Sequence, residues 1–221
     1  MTVTVKICGI NSAEVADAAV LAGADFAGLN LHAASPRRLG IEQARALADR
    51  LRSRLRVVVL LCDAADESIE QAVRSVRPDF LQLHGGEGPE RTAQIRGRFR
   101  VGVIKSIAIQ DATDFATVPA FEAVADMLLF DAKAPASALR PGGHGVPFDW
   151  RLLRGRKFTR PWLLAGGLDP ENVARAIASS GAPGVDVSSG VETLPGRKSV
   201  ELVHEFVSRA KGTTFASEES R

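Results

Sequence analysis

The sequence has two cysteines, four histidines and no tyrosine among its 221 residues. Cys8 and Cys62 are too few for a disulfide scaffold, and neither stands at metal-clip spacing from a second Cys or a His, so no structural zinc is expected. His32, His84, His144 and His204 are scattered along the chain, and no metal site is read from them. Neither sign of charge dominates: 28 Lys and Arg against 26 Asp and Glu leave a formal +2. That balance argues against a dedicated nucleic-acid binder or a polybasic membrane anchor, and for a small-molecule partner. No apolar run approaches the roughly 18 residues of a membrane span. The start, Met1-Thr2-Val3-Thr4-Val5-Lys6, lacks the basic and hydrophobic regions of a signal peptide, so a cytoplasmic protein is expected.

What is present is an ordinary globular mix, 45% apolar and 24% charged, enough for one sizeable core. Short β-branched or apolar runs recur at Val3-Ile7, Phe26-Leu31, Val57-Leu61, Phe80-Leu83, Val101-Ile107, Met127-Phe130, Trp162-Leu164 and Gly184-Val187. Segments of helical spacing separate them, among them Ser12 to Ala22, Ile41 to Leu51, Ser68 to Val76, Pro170 to Ser179 and Ser199 to Lys211, several opened by Ser, Asp or Pro. Such alternation implies right-handed crossovers and a parallel sheet. Eight units in this length fit one α/β domain, a single (β/α)8 TIM barrel over residues 1–211, with a polar tail at 212–221 that frays. A doubly wound open sheet is the rival, but no Gly-x-Gly-x-x-Gly or P-loop follows the first run. The stretch from Asp131 to Asp149, rich in Gly and Pro, is too long for a plain connection and marks a functional loop.

In such a barrel the chemistry sits at the carboxyl ends of the strands. Polar residues of inward parity there are Cys8, Asn30, His32, Gln82, His84, Asp131 and Asp186. Cys8 is followed by Gly9, which admits a close substrate, and its thiolate could act as base or nucleophile. Cys62 follows a wholly apolar run and is read as packing. Asp131 ends an apolar run, where partial burial suits a carboxyl to general-acid work. Lys6 shares the parity of Cys8 one layer lower and needs a partner; Asp186, on the strand that adjoins the first in a closed barrel, is the expected one. After the seventh and eighth runs come Gly166-Gly167 and Ser189-Gly190, two loops whose exposed N–H groups suit a phosphate, and Gly143 and Gly145 offer a third set.

Taken in order, Val5-Lys6-Ile7-Cys8-Gly9, Ser35-Pro36-Arg37, Gln82-Leu83-His84-Gly85, Gly142-Gly143-His144-Gly145, Ala165-Gly166-Gly167-Leu168 and Gly184-Val185-Asp186-Val187-Ser188-Ser189-Gly190-Val191-Glu192 resemble the phosphoribosylanthranilate isomerase family over about residues 3 to 208. The resemblance implies a cofactor-free Amadori rearrangement in tryptophan synthesis, by a monomer or homodimer acting on a phosphosugar. It implies Cys8 as general base, Asp131 as general acid, Arg37 on the anthranilate carboxylate, Gln82 and His84 near the aromatic ring and Asp186 near the sugar. The 5-phosphate would lie on Gly143, Gly145, Gly166, Gly167, Ser189 and Gly190. The chain departs from the family pattern at Asn30, His32, Cys62, His144 and Ser199, none of which is a proposed catalytic group. A metal-dependent phosphosugar epimerase would want His and Asp ligands on successive strand ends, and the histidine-pathway isomerase two facing aspartates with half-barrel repeats; neither pattern occurs. A silent phosphosugar-binding module would be free to lose its acid or base, and both are present.

Overall fold

Each of the eight apolar runs is a strand, because a strand buried on both faces in a parallel sheet needs continuous rather than alternating apolar character. They are β1 (Thr4–Cys8), β2 (Phe26–Asn30), β3 (Arg56–Leu61), β4 (Phe80–Leu83), β5 (Gly102–Ile109), β6 (Met127–Ala132), β7 (Trp162–Leu164) and β8 (Gly184–Val187). The structure is a computed structural model describing residues 2–133 and 147–213. Its strands run parallel in sequence order, and the ring closes where β8 pairs with β1, Thr4 opposite Gly184 and Lys6 opposite Asp186. That closure decides for the (β/α)8 barrel over the open sheet.

The helices are α1 (Ala13–Ala22), α2 (Ile41–Leu51), α3 (Asp66–Val76), α4 (Pro89–Phe99), α5 (Val118–Glu122), α6 (Val173–Ser180) and α7 (Val200–Lys211). Among the described residues between β6 and β7 no α-helix is found, and a 3₁₀ turn stands at Trp150–Leu153. After β8 the chain adds an antiparallel hairpin, β9 (Glu192–Leu194) and β10 (Arg197–Lys198). Boundaries shift for local reasons. β6 extends past its apolar run because Asp131 and Ala132 pair with Ala108 and Ile109 of β5, so Asp131 lies within the strand. α6 starts at Val173 instead of Pro170 because Asp169 and Asn172 bond to each other's backbone N–H and form a turn first. Ser12 and Ser199 cap α1 and α7, accepting from Val15 and Leu202 N–H at 3.2 Å.

Two apolar layers hold the ring. The outer one joins outward strand residues such as Val5, Ile7, Leu128 and Val185 to helix residues such as Ala19, Ile69, Ile177 and Phe206. The inner one, Phe26, Val58, Ile104, Met127, Leu129, Leu163 and Ala165 with Phe80 against it, plugs the barrel. The plug spares the carboxyl-terminal end of β1 and β8, where inward positions are polar. At the opposite rim Asp25, Asp79 and Asp126, each just before an even-numbered strand, accept N–H bonds from Val5, Val57 and Val103 of the strand before, at 2.7 to 2.9 Å. They satisfy the open end of the ladder.

The candidate active site

Alternation along β1 turns Val5 and Ile7 to the helices and Lys6 and Cys8 to the barrel axis. Lys6 is 0% exposed, and its Nζ donates to Asp186 Oδ1 at 2.8 Å, the partnership its parity demanded. Burial works against the ammonium, but Asp186, then Cys8, outweigh it and hold Lys6 above the ordinary lysine range. Cys8 lies one layer higher. Burial pushes its thiol up, Lys6 and Lys198 pull it down, and Asp186 pushes with burial. The balance leaves the Cys8 thiol above its ordinary range. β2 passes beside it with Gly28, where a Cβ would stand 3.0 Å from both Cys8 Cα and Sγ, so no other residue fits without displacing the thiol.

Across the mouth, Asp131 Oδ2 lies 3.2 Å from His84 Nε2, and Asp131 Oδ1 accepts the Ala132 N–H at 2.8 Å. His84 Nδ1 is in turn 2.9 Å from Gln82 Nε2. Gln82 is wholly buried, and its Oε1 has no partner among the described residues. Three residues from two strands thus form one chain, which holds the carboxyl at a fixed attitude.

Gly166 has φ 84, and a Cβ there would meet Ala132 N at 2.5 Å and Asp131 Oδ1 at 3.1 Å. Only glycine lets the loop after β7 pass so close to Asp131. Asn172 pins that loop, donating through Nδ2 to Gly167 O at 2.8 Å. A Cβ on Gly190 would overlap the Leu168 carbonyl, so the loops after β7 and β8 are in backbone contact. The N–H groups of Gly166, Gly167, Ser189 and Gly190 have no acceptor among the described residues, leaving a row of free donors.

Arg37, in the loop after β2, is bound by Glu192 from the hairpin: Nε to Oε1 at 2.6 Å and Nη2 to Oε2 at 2.8 Å, with side chains 6% and 4% exposed. Glu192 also accepts from Lys198 Nζ at 3.1 Å and from the Gly196 N–H at 3.1 Å. Burial opposes its charge, but Arg37, Lys198 and Gly196 hold the Glu192 carboxyl below the usual range. Ser35 Oγ accepts the Arg37 N–H and takes a donor from Asn30 Nδ2, both at 3.1 Å, so Asn30 shapes the turn that aims Arg37.

Cys8, Arg37, Gln82, His84, Asp131, Gly166, Gly167, Asp186 and Ser189 line one cleft, joined by Asn30, His32 and Cys62. Gly190 is outside that lining and abuts the backbone of Leu168, which belongs to it. Gly143 and Gly145 lie outside the described residues. Burial, with Glu87 and Asp63 nearby, pushes the Cys62 thiol up to about 12, in keeping with a packing role. Sequence reading missed Glu192 and Lys198 as a buried clamp; a carboxylate just after Gly190 and a lysine six residues on carry no signal until the hairpin folds them together. Among the described residues no three His, Cys, Asp or Glu side chains gather as a metal would need, and no helix is long and apolar enough to cross a membrane.

A closed eight-stranded parallel barrel with its polar cleft at the carboxyl ends of the strands is the architecture of a (β/α)8-barrel enzyme. The family model described as N-(5'-phosphoribosyl)anthranilate (PRA) isomerase matches residues 5–209. An N-(5'-phosphoribosyl)anthranilate isomerase of Rhodopseudomonas palustris (strain HaA2) is 50% identical over 220 residues, 100% of this chain and 99% of the relative. The crystal structure of phosphoribosyl anthranilate isomerase from Thermotoga maritima superposes with TM-score 0.86 at 35% identity, covering 95% of this chain and 99% of the other. A PRAI crystal structure in complex with reduced 1-(o-carboxyphenylamino)-1-deoxyribulose 5-phosphate does so with TM-score 0.81 at 33% identity, over 95% and 99%. The chain belongs to the PRA isomerase family.

Proposed function

We propose that the chain converts N-(5-phospho-β-D-ribosyl)anthranilate into 1-(2-carboxyphenylamino)-1-deoxy-D-ribulose 5-phosphate, as an aldose–ketose isomerase of tryptophan biosynthesis working without a cofactor. The observation that carries the reading is the opposition of Cys8 and Asp131 across one cleft whose floor presents uncommitted backbone donors. The Asp131 carboxyl gives its proton to the furanose ring oxygen, and the C1–O bond opens to a protonated Schiff base. Cys8, as thiolate, takes the proton from C2, and the electron pair runs to the iminium nitrogen to leave an enolamine. The enol hydroxyl proton returns to Asp131, C1 takes the proton that Cys8 carries and so restores the thiolate, and the ketone results. Cys8 is buried and the Asp131 side chain nearly so, and proton transfer by a positioned side chain contributes about 10² to 10⁴ in rate.

The remaining residues bind. Gly166, Gly167, Ser189 and Gly190 offer N–H groups to the 5-phosphate, with Gly143 and Gly145 as further candidates. Arg37 receives the anthranilate carboxylate on its Nη1 edge, since Nε and Nη2 face Glu192. Gln82 and His84 adjoin the aromatic ring and Asp186 the sugar. This reading places the enzyme in the cytoplasm, as a monomer or homodimer whose partner is a small phosphosugar, with no nucleic acid or membrane involved.

The test is to add the protein to phosphoribosylanthranilate, made in place from anthranilate and phosphoribosyl pyrophosphate, and to follow loss of its fluorescence with a chelator present. Rapid loss is expected, falling at least about 10²-fold in Cys8→Ala and in Asp131→Asn with the fold intact. Near-normal turnover in either variant removes that residue from the mechanism. No loss with the parent protein overturns the reading.

A further inference from the structure

A thiol that burial pushes up is a poor base, so a group beside it must favour its ionised form when substrate is present. The charged and titratable groups around Cys8 are few. Lys6 comes from its own strand, Asp186 from β8 and Lys198 from β10; Cys62, Arg37, His32, His84 and Asp131 stand further round the cleft, and the last two act on Asp186. Of the three cations, Arg37 is bound bidentately by Glu192, and Lys198 is shared between Ser188 O at 3.0 Å and Glu192 Oε1 at 3.1 Å. Lys6 differs. It is 0% exposed, and its ammonium, with three donors, is shared between Asp186 and the Cys8 sulfur. The space beside it is the space beside the sulfur: a Cβ on Gly28 would lie 3.3 Å from Lys6 Nζ and 3.0 Å from Cys8 Sγ.

We propose that Lys6 is the positioning residue that makes Cys8 a base, and that Asp186 sets how much of the Lys6 charge the sulfur receives. While Asp186 holds the ammonium at 2.8 Å, the thiol stays protonated. A sugar hydroxyl donating to Asp186 loosens that hold, the ammonium shifts further toward the sulfur it already bonds, and the thiol proton passes to water in the cleft. An adjacent lysine is a recognised cause of thiolate formation, and here its action is conditional on the carboxylate. The inference rests on reading Cys8 as the base.

Alkylation of Cys8 by iodoacetamide, followed against pH with the modified peptide identified by mass, reads its ionisation without turnover. Lys6→Met is expected to move the midpoint of the profile up by at least about one pH unit, a tenfold loss of thiolate at fixed pH. Asp186→Asn is expected to move it down, because the amide oxygen still accepts from Lys6 but carries no charge to oppose the ammonium or to repel the thiolate. Damage to the site would shift both variants in one direction, so opposite shifts support the proposal, and shifts of the same sign, or none, overturn it. If Lys6→Met fails to fold with Asp186 left unpaired, the neutral double variant Lys6→Met/Asp186→Asn takes its place. Its midpoint must lie above that of Asp186→Asn, and equality overturns the proposal. Turnover of Cys8→Ala tests the base itself, so the two readings fail separately.

Discussion

Glu192 accepts from Arg37, Lys198 and the Gly196 N–H, and its charge is what allows two cations to sit beside each other there. In Glu192→Gln the shape and one acceptor remain, but Arg37 and Lys198, at 6% and 0% side-chain exposure, lose their counter-ion. Removing one partner of a buried ion pair typically costs about 3–5 kcal/mol, because a desolvated charge is left uncompensated. The retained carbonyl favours the lower end, about 3 kcal/mol. For a chain of this size each kcal/mol moves Tm by roughly 2–4 °C, so a fall of roughly 6–12 °C is expected. Thermal unfolding by far-UV circular dichroism near neutral pH measures it. A second variant tests the cause: Glu192→Gln/Lys198→Met removes one of the stranded cations and should be more stable than Glu192→Gln alone, whereas independent sites would add their losses. The pH dependence has a definite sign. The Glu192 carboxyl is held below its ordinary value in the folded state, so its contribution is complete above about 4.3 and disappears as pH falls through the lower folded value. The gap between parent and variant should therefore narrow in acid. A Tm within about 2 °C of the parent, or a double variant that merely adds the two losses, refutes the reasoning.

Gly190→Ala forces the loops after β7 and β8 apart at Leu168; the KM for the phosphorylated substrate should rise about tenfold or more, a misplacement effect, and an unchanged KM would show that loop contact is not needed. Phe130→Ala removes a fully buried ring from a cluster with Phe158 at 4.8 Å, Trp162 at 5.5 Å and Phe115 at 5.7 Å. Denaturant unfolding should show a loss of about 3–5 kcal/mol, and a loss below about 1 would mean that the cluster collapses into the gap. With its thiol at about 12, Cys62 should react with iodoacetamide near pH 8 roughly 10²-fold more slowly than free cysteine, the thiolate deficit being partly offset by greater nucleophilicity. Mass mapping that finds Cys62 modified at the free-cysteine rate contradicts that environment.

Local chemistry is what a sequence carries most openly, and the barrel is mostly local chemistry repeated. Gly184 to Val187 read as a strand because Val185 and Val187 are β-branched and alternate with Gly184 and Asp186, and Ser12 and Ser199 read as helix starts because a hydroxyl accepts an orphan N–H wherever it stands. Parity along β1 and β8 was also enough to pair Lys6 with Asp186, since closure of a ring of eight makes those strands neighbours. α4 was less visible, because only Thr92 and Ile95 of its eleven residues are buried and the apolar period is faint. The end of β6 was set by β5: Asp131 belongs to the strand because Ala108 lies opposite it. The sequence marked Cys8, Asp131 and the glycine loops as chemistry. It could not show that Gln82, His84 and Asp131 form one chain, that Gly28 leaves the space that Lys6 and Cys8 both adjoin, or that Glu192 binds Arg37 across 155 positions of sequence. Those are meetings between elements, settled by barrel closure and by the burial of charges that must find partners wherever the fold puts them.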